Sequence, residues 1–219
     1  MGCSTINEYS AQSDQPANFP ANHYQQADSN HVYRIDSDLS QIIISVRRGG
    51  LMAKLGHDHI VASHHVQGFI LLDQMRGQCR ADFFAPLAML EVDNPELRAA
   101  AAMATKPTDA EIVGTRSNML KSLEAELFPF AQLQSRDCID ALGGNPANID
   151  FDLHGVVRSQ KIAVSLDQSD ESQLLVTSNF SILQSDYGIE PFSIMNGLIR
   201  VEDRLDISVQ LVAKRARKE

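Results

Sequence analysis

Tryptophan is absent from the 219 residues, and aromatic side chains make up only 6% of them. A core built from this chain must therefore rest on Leu, Ile, Val, Ala and nine Phe. Cysteine is scarce: Cys3, Cys79 and Cys138 are the only three, and no two stand in C-x-x-C spacing. That excludes a zinc ribbon and a thioredoxin-type redox pair. Cys79 and Cys138 lie on separate apolar-alternating runs and could bond if those runs are neighbours. The commoner state, and the one expected, is two buried free thiols packed as small hydrophobes. Basic residues are outnumbered, 19 Lys and Arg against 28 Asp and Glu, for a formal charge of −9. So acidic a chain repels phosphate backbones, which argues against nucleic-acid binding. No stretch approaches the ~18 to 20 apolar residues of a membrane-spanning helix.

Catalytic signatures are missing too. There is no nucleophile elbow, Walker loop, dinucleotide fingerprint or H-E-x-x-H motif. Asp150 and Asp152 alternate with a candidate core face, so they are expected to point outward and not to form a glycosidase dyad. Asp58, between His57 and His59, belongs to the one plausible acid–base set, and no Ser or Cys nucleophile stands beside it. The expectation is a protein that is not an enzyme.

What the chain does have is period-two alternation from His31 onward. Val32 to Asp36 and Gln41 to Val46 read as short strands split by the turn-prone Ser37-Asp38. Val66, Gly68, Ile70 and Leu72 share a face of the next run, and residues 79–92 form another, interrupted near Pro86. The middle changes period. Residues 95–105 are alanine-rich, and residues 108–127 carry Ile112, Met119, Leu120 and Leu123 near helical spacing. Thr108-x-x-Glu111 has the spacing of a capping box, and Phe128-Pro129 ends the segment. Alternation then resumes through Ile149, Phe151 and Leu153; Ile162, Val164 and Leu166, after a connection over residues 155–160; Leu174 to Ile182; and Leu205 to Leu211. About eight strands, one helical insertion and no βαβ alternation predict an all-β fold, an antiparallel barrel or sandwich. A closed barrel of about eight strands is wide enough for one slender ligand along its axis.

The ends differ from the middle. Residues 1–30 contain no Lys or Arg and are rich in Asn, Gln, Ser, Ala, Asp and Pro, so a flexible tether is expected there. Met1-Gly2-Cys3-Ser4 resembles the end of a bacterial lipobox, in which Cys3 would be diacylated, although no charged and apolar signal regions precede it. A start further upstream and a chance placement of the cysteine both remain open. An N-myristoylation signal would need Ser or Thr where Ile6 stands. Residues 214–219 read as a basic tail.

Four stretches, taken in order, resemble the YceI-like, or polyisoprenoid-binding, family of lipocalin-like proteins. They are Tyr33-Arg34-Ile35-Asp36 with the strand after it, and Val66-Gln67-Gly68-Phe69 to Asp73. The insertion from Thr115-Arg116 through Leu123 to Phe128-Pro129 and Ser135 is the third. The fourth runs from Asp152-Leu153-His154-Gly155-Val156-Val157-Arg158 through Ile162 to Leu166 and Phe180 to Gly188. The likeness spans residues 31–213. Two features depart from it: Ser159-Gln160 stand where a Pro usually follows the basic residue, and Gly56-His57-Asp58-His59 is unusually rich in His. The resemblance implies a lipocalin-like barrel that holds an isoprenoid lipid or quinone, located in the periplasm, as an outer-membrane lipoprotein if Cys3 is acylated. It also implies inward, cavity-lining positions at Val66, Ile70, Leu72, Ile149, Phe151, Leu153, Val176, Phe180 and Ile182.

The histidines admit a second reading. His57, Asp58, His59, His64 and His65 fall within nine residues. In extended chain His57 and His59 share a side, which suits a divalent metal if a third ligand, such as His154, comes from elsewhere. Haem ligation is a further alternative, though no attachment motif accompanies it. The same histidines could instead line a polar mouth that contacts a head group, or face solvent.

Overall fold

Runs that alternate every second residue need hydrogen-bonding partners on both edges, and here each run finds them in its neighbours along the sequence. The computed structural model describes residues 14–216. Its strands are β1 (Val32–Ile35), β2 (Gln41–Gly49), β3 (His59–Ser63), β4 (Gln67–Asp73), β5 (Gln78–Pro86), β6 (Glu91–Val92), β7 (Phe130–Ser135), β8 (Pro146–Leu153), β9 (Val156–Asp170), β10 (Gln173–Leu183), β11 (Ser193–Ile194) and β12 (Ile199–Arg215). All pairings are antiparallel. β1 pairs with β4 and β2 with β3, while β5 pairs with β4 and β6 with β3. The consecutive couples β1–β2, β3–β4 and β5–β6 are therefore each one stave with a short interruption. Joined by β7, β8, β9, β10 and β12, they make eight staves in strict sequence order. β12 pairs with both β2 and β1, the latter through Ile35 opposite Ala213, and so closes the barrel. The closed eight-stranded antiparallel barrel is the fold expected.

Two local features set its shape. Gly68 in β4 has φ +152°, and a Cβ there would sit 2.6 Å from the Phe83 Cα on β5. Only glycine allows so close an approach of the two backbones. The β8–β9 turn is just His154-Gly155, with φ of 56° and 73°. Two left-handed residues make the turn whose twist matches the flanking strands, so β9 starts at Val156 rather than after a longer connection.

The barrel ends are unlike each other. At one end the Cys79–Cys138 disulfide joins the start of β5 to the 3₁₀ segment Ile139–Gly143. This corrects the expectation of free thiols: β5 and β7 are adjacent, which brings the two Cα atoms within 4.9 Å. Leu72, Cys79, Ala141 and Leu174 are buried in the core at this end. At the other end lies the insertion between β6 and β7. It holds α2 (Pro95–Ala100) and α3 (Asp109–Ser122), the latter begun by the Thr108–Glu111 capping box that the sequence announces.

Two expectations about the chain ends need revision. Residues 14–30, assigned to a flexible tether, carry α1 (Ala21–Gln26) and cover the outer face of β4 and β5. Phe19 meets Phe84 edge-on at 5.0 Å, Tyr24 stacks on Phe69 at 5.1 Å, and the Tyr24 hydroxyl donates to Asp82. Burial, with that bond to Asp82, pushes the Tyr24 phenol well up. Lys214 and Arg215 belong to β12 and not to a tail; Lys214 pairs with Asp36 at 2.7 Å, and Arg215 donates to the Glu171 carbonyl at 2.5 Å. Asp150 and Asp152 do stand on the outer face, but Asp152 is half-buried, and burial pushes its carboxyl up. Cys3 lies outside the described residues.

Candidate cavity and its polar wall

Alternation fixes which side chains enter the barrel. On β2 these are Ile42, Ile44 and Val46; on β3 they are His59, Val61 and Ser63. Together with inward residues of β5, β7, β8, β10 and β12 they surround a cavity of about 230 Å³ in the half of the barrel beneath α3. A second cavity of about 60 Å³ continues toward the disulfide end. Phe83, Leu133, Phe180 and Val209 line both, so they form a waist between two compartments. An apolar void of about 150 Å³ can already hold a benzene ring.

Of the nine positions implied by the resemblance, Phe151, Leu153 and Ile182 line the larger compartment. Ile70, Ile149 and Val176 line the smaller, and Phe180 lines both. Val66 and Leu72 are buried but line neither: Val66 sits in the break between β3 and β4, its carbonyl accepting from Ser37 at 2.7 Å. Positions that a single sequence face does not reveal come from α3, which crosses the mouth with Thr115, Asn118, Met119 and Ser122 facing in. Arg116 ties this helix to the Ala88 carbonyl at 2.5 Å.

Among the described residues, no Asp, Glu, Lys or Arg lines the larger cavity. Its polar residues are His59, Ser63, Thr115, Asn118, Ser122, Gln132 and Gln184. His59 is the one that the structure supports most elaborately. As the first residue of β3, it places its ring in the wall, 16% exposed, with Nδ1 2.6 Å from Asp93 Oδ2. Asp93 is completely buried and takes the left-handed conformation, φ 56°, that Asp tolerates. The turn it makes positions Asn94, which caps α2 by accepting from Glu96 and Leu97, with Pro95 at the first helical position. One turn along, Arg98 points back onto Asp93 and donates to it. Arg98 also donates to the carbonyls of Asp58 and Thr105, both at 2.8 Å. Burial disfavours ionised Asp93, but His59, the Ile60 amide and Arg98 outweigh that and hold its carboxyl below the usual range.

The other histidines disperse. His57 reaches the lid, with Nε2 3.5 Å from Glu111 of α3. Hydrogen bonds from Thr108 hold Glu111 below the usual carboxylate range, and His57 adds to them. His64 lies 3.7 Å from Glu91, His65 is exposed, and Asp58 accepts the Arg48 amide at 3.0 Å. His154 spends Nδ1 on the Tyr187 carbonyl (3.1 Å) and Nε2 on Glu124 (3.2 Å). The third ligand that a metal at His57 and His59 would need is not in place: among the described residues no three His, Cys, Asp or Glu side chains converge as a metal site.

The barrel superposes on a polyisoprenoid binding domain from Saccharophagus degradans, implicated in plant cell wall breakdown, with a TM-score of 0.58. Identity is 12%, and the match covers 84% of this chain and 98% of that one. Burkholderia cenocepacia BcnA matches with a TM-score of 0.55 at 14% identity, over 82% of this chain and 99% of its own. A YceI protein of Campylobacter jejuni superposes more loosely, with a TM-score of 0.48 at 14% identity, over 73% and 85% of the two chains. No protein-family model and no curated protein matches the sequence. At these identities the likeness is one of fold, shared with the Saccharophagus degradans domain and with BcnA.

Proposed function

We propose that this barrel binds the isoprenoid tail of a lipid or quinone along its axis, and acts as a carrier or store without transforming its ligand. The observation that carries the reading is the two-compartment cavity, about 230 Å³ and 60 Å³, whose walls are almost wholly aliphatic and aromatic. Each buried CH₂ gains about 0.8 kcal/mol, so a five-carbon isoprene unit gains about 4 kcal/mol before ordering costs. Tail length then sets affinity with few polar contacts. The description of the Saccharophagus degradans domain as polyisoprenoid-binding supports the same ligand class.

The disulfide supports an oxidising compartment, with the periplasm as the proposed location. Acylation of Cys3 would add a membrane tether, which mass analysis of the cell-derived N-terminus tests directly. For the ligand, native mass spectrometry of protein purified from its own cells should show a co-purified prenyl lipid. Ile70→Trp with Phe151→Trp fills one wall of each compartment and should abolish that mass. Prenyl lipid retained by a double variant that still melts cooperatively would overturn the carrier reading.

A further inference from the structure

The larger compartment is apolar except for a neutral polar patch, and the hydrogen-bond direction within that patch is fixed. Asp93 is a carboxylate paired with Arg98, so it accepts from His59 Nδ1 and the proton of the neutral ring sits there. Nε2 is then left as a lone-pair acceptor on a residue that lines the cavity. The Asp93–Arg98 pair is already charge-balanced. Hydroxyl and amide groups of Thr115, Asn118 and Ser122 on α3, with Gln184, line the same compartment and can serve the remaining lone pairs of a small head.

From this we infer that the carried lipid has a neutral, hydroxyl-bearing head whose O–H donates to His59 Nε2: a prenyl alcohol or a prenylated hydroquinone. The inference rests on the carrier reading above and specifies the end of the ligand that the reading leaves open. A diphosphate head does not fit, because among the described residues no Lys or Arg lines the compartment to meet its charge. A carbonyl or ether oxygen at the same place would turn its lone pairs toward that of Nε2. Asp93 and Arg98 act through His59 and are positioning residues.

The test uses delipidated full-length protein and calorimetric titration with farnesol and farnesyl-hydroquinone, each beside its methyl ether, and with farnesyl diphosphate. The hydroxyl compounds should bind about three- to ten-fold more tightly than their ethers. The diphosphate should bind most weakly. His59→Leu should bring alcohol and ether to equal affinity while tail binding persists, and His59→Gln, which keeps an acceptor, should restore part of the difference. Long-range ¹H–¹⁵N spectra of the unmodified protein check the tautomer without any variant: Nδ1 protonated, Nε2 bare, and Nε2 shifted when farnesol is added. Equal affinity for alcohol and ether, tightest binding of the diphosphate, or a proton on Nε2 would overturn the inference and leave the carrier reading intact. Failure of every farnesyl compound to bind would overturn both. Comparison of the two hydroxyl compounds decides which class of head the compartment prefers.

Discussion

Removing the Cys79–Cys138 bond, as Cys79→Ala with Cys138→Ala, should weaken the fold by an amount that its place in the chain sets. The bond spans 59 positions of sequence. Forbidding that loop in the unfolded state is worth about 4 kcal/mol at 25 °C on chain-entropy grounds. Both cysteines are buried in the core, and Cys138 lines the smaller compartment, so the lost sulfur contacts add about 1 kcal/mol. For a chain of this size each kcal/mol shifts the melting temperature by about 2 to 4 °C, so the entropic part alone moves it by about 8 to 16 °C. Urea titrations under non-reducing conditions should show a lower midpoint and a steeper slope, because the uncrosslinked unfolded chain exposes more surface. Reducing the parent protein should reproduce the variant. A loss below about 1 kcal/mol, with the bond shown by mass to be intact in the parent, would refute the reasoning. Two titratable thiols in protein drawn from an oxidising compartment would remove the bond itself.

Other perturbations have equally definite outcomes. Gly68→Ala forces a Cβ against Phe83 and the Asp82 carbonyl at a φ that L-residues avoid, so urea denaturation should report a loss of about 2 kcal/mol or more. Tyr24→Phe keeps the ring on Phe69 but removes the buried bond to Asp82, and the same assay should lose about 1.5 kcal/mol. Asp93 is held below its unfolded value near 3.9, so its contribution to stability is complete above that value and is lost as pH falls through the folded one. Stability followed from pH 6 to pH 2 should therefore drop. Asp93→Asn with Arg98→Met, which removes both charges together, should flatten that part of the curve.

Much of this barrel is visible in the sequence, and the parts that are not have physical causes. β8, β10 and β12 alternate bulky inward residues with polar outward ones, so their faces read directly. β7 does not: its inward side is Ala131, Leu133 and Ser135, with one large side chain among the three. β3 is hidden because it opens on His59 and is followed by His64 and His65, a composition that suggests a loop. In residues 14–30 two aromatics, Phe19 and Tyr24, hold the segment against Phe69 and Phe84, and two rings do not change a composition dominated by Asn, Gln and Ser. The His59–Asp93–Arg98 chain joins positions 34 and 5 residues apart, and only the turn at Asp93 makes them neighbours. The lid residues of α3 were legible as a helix but not as a wall, because which face of it looks into the barrel depends on the staves beneath.

The seam between the first and last staves has a consequence for how the protein comes into being. Ile35 meets Ala213, and Tyr33 meets Arg215, so the hollow lacks its final plank until nearly the whole polypeptide has been synthesised. Until then both edges along that seam lack their hydrogen-bonding partner, and the cavity stays open to water on that side.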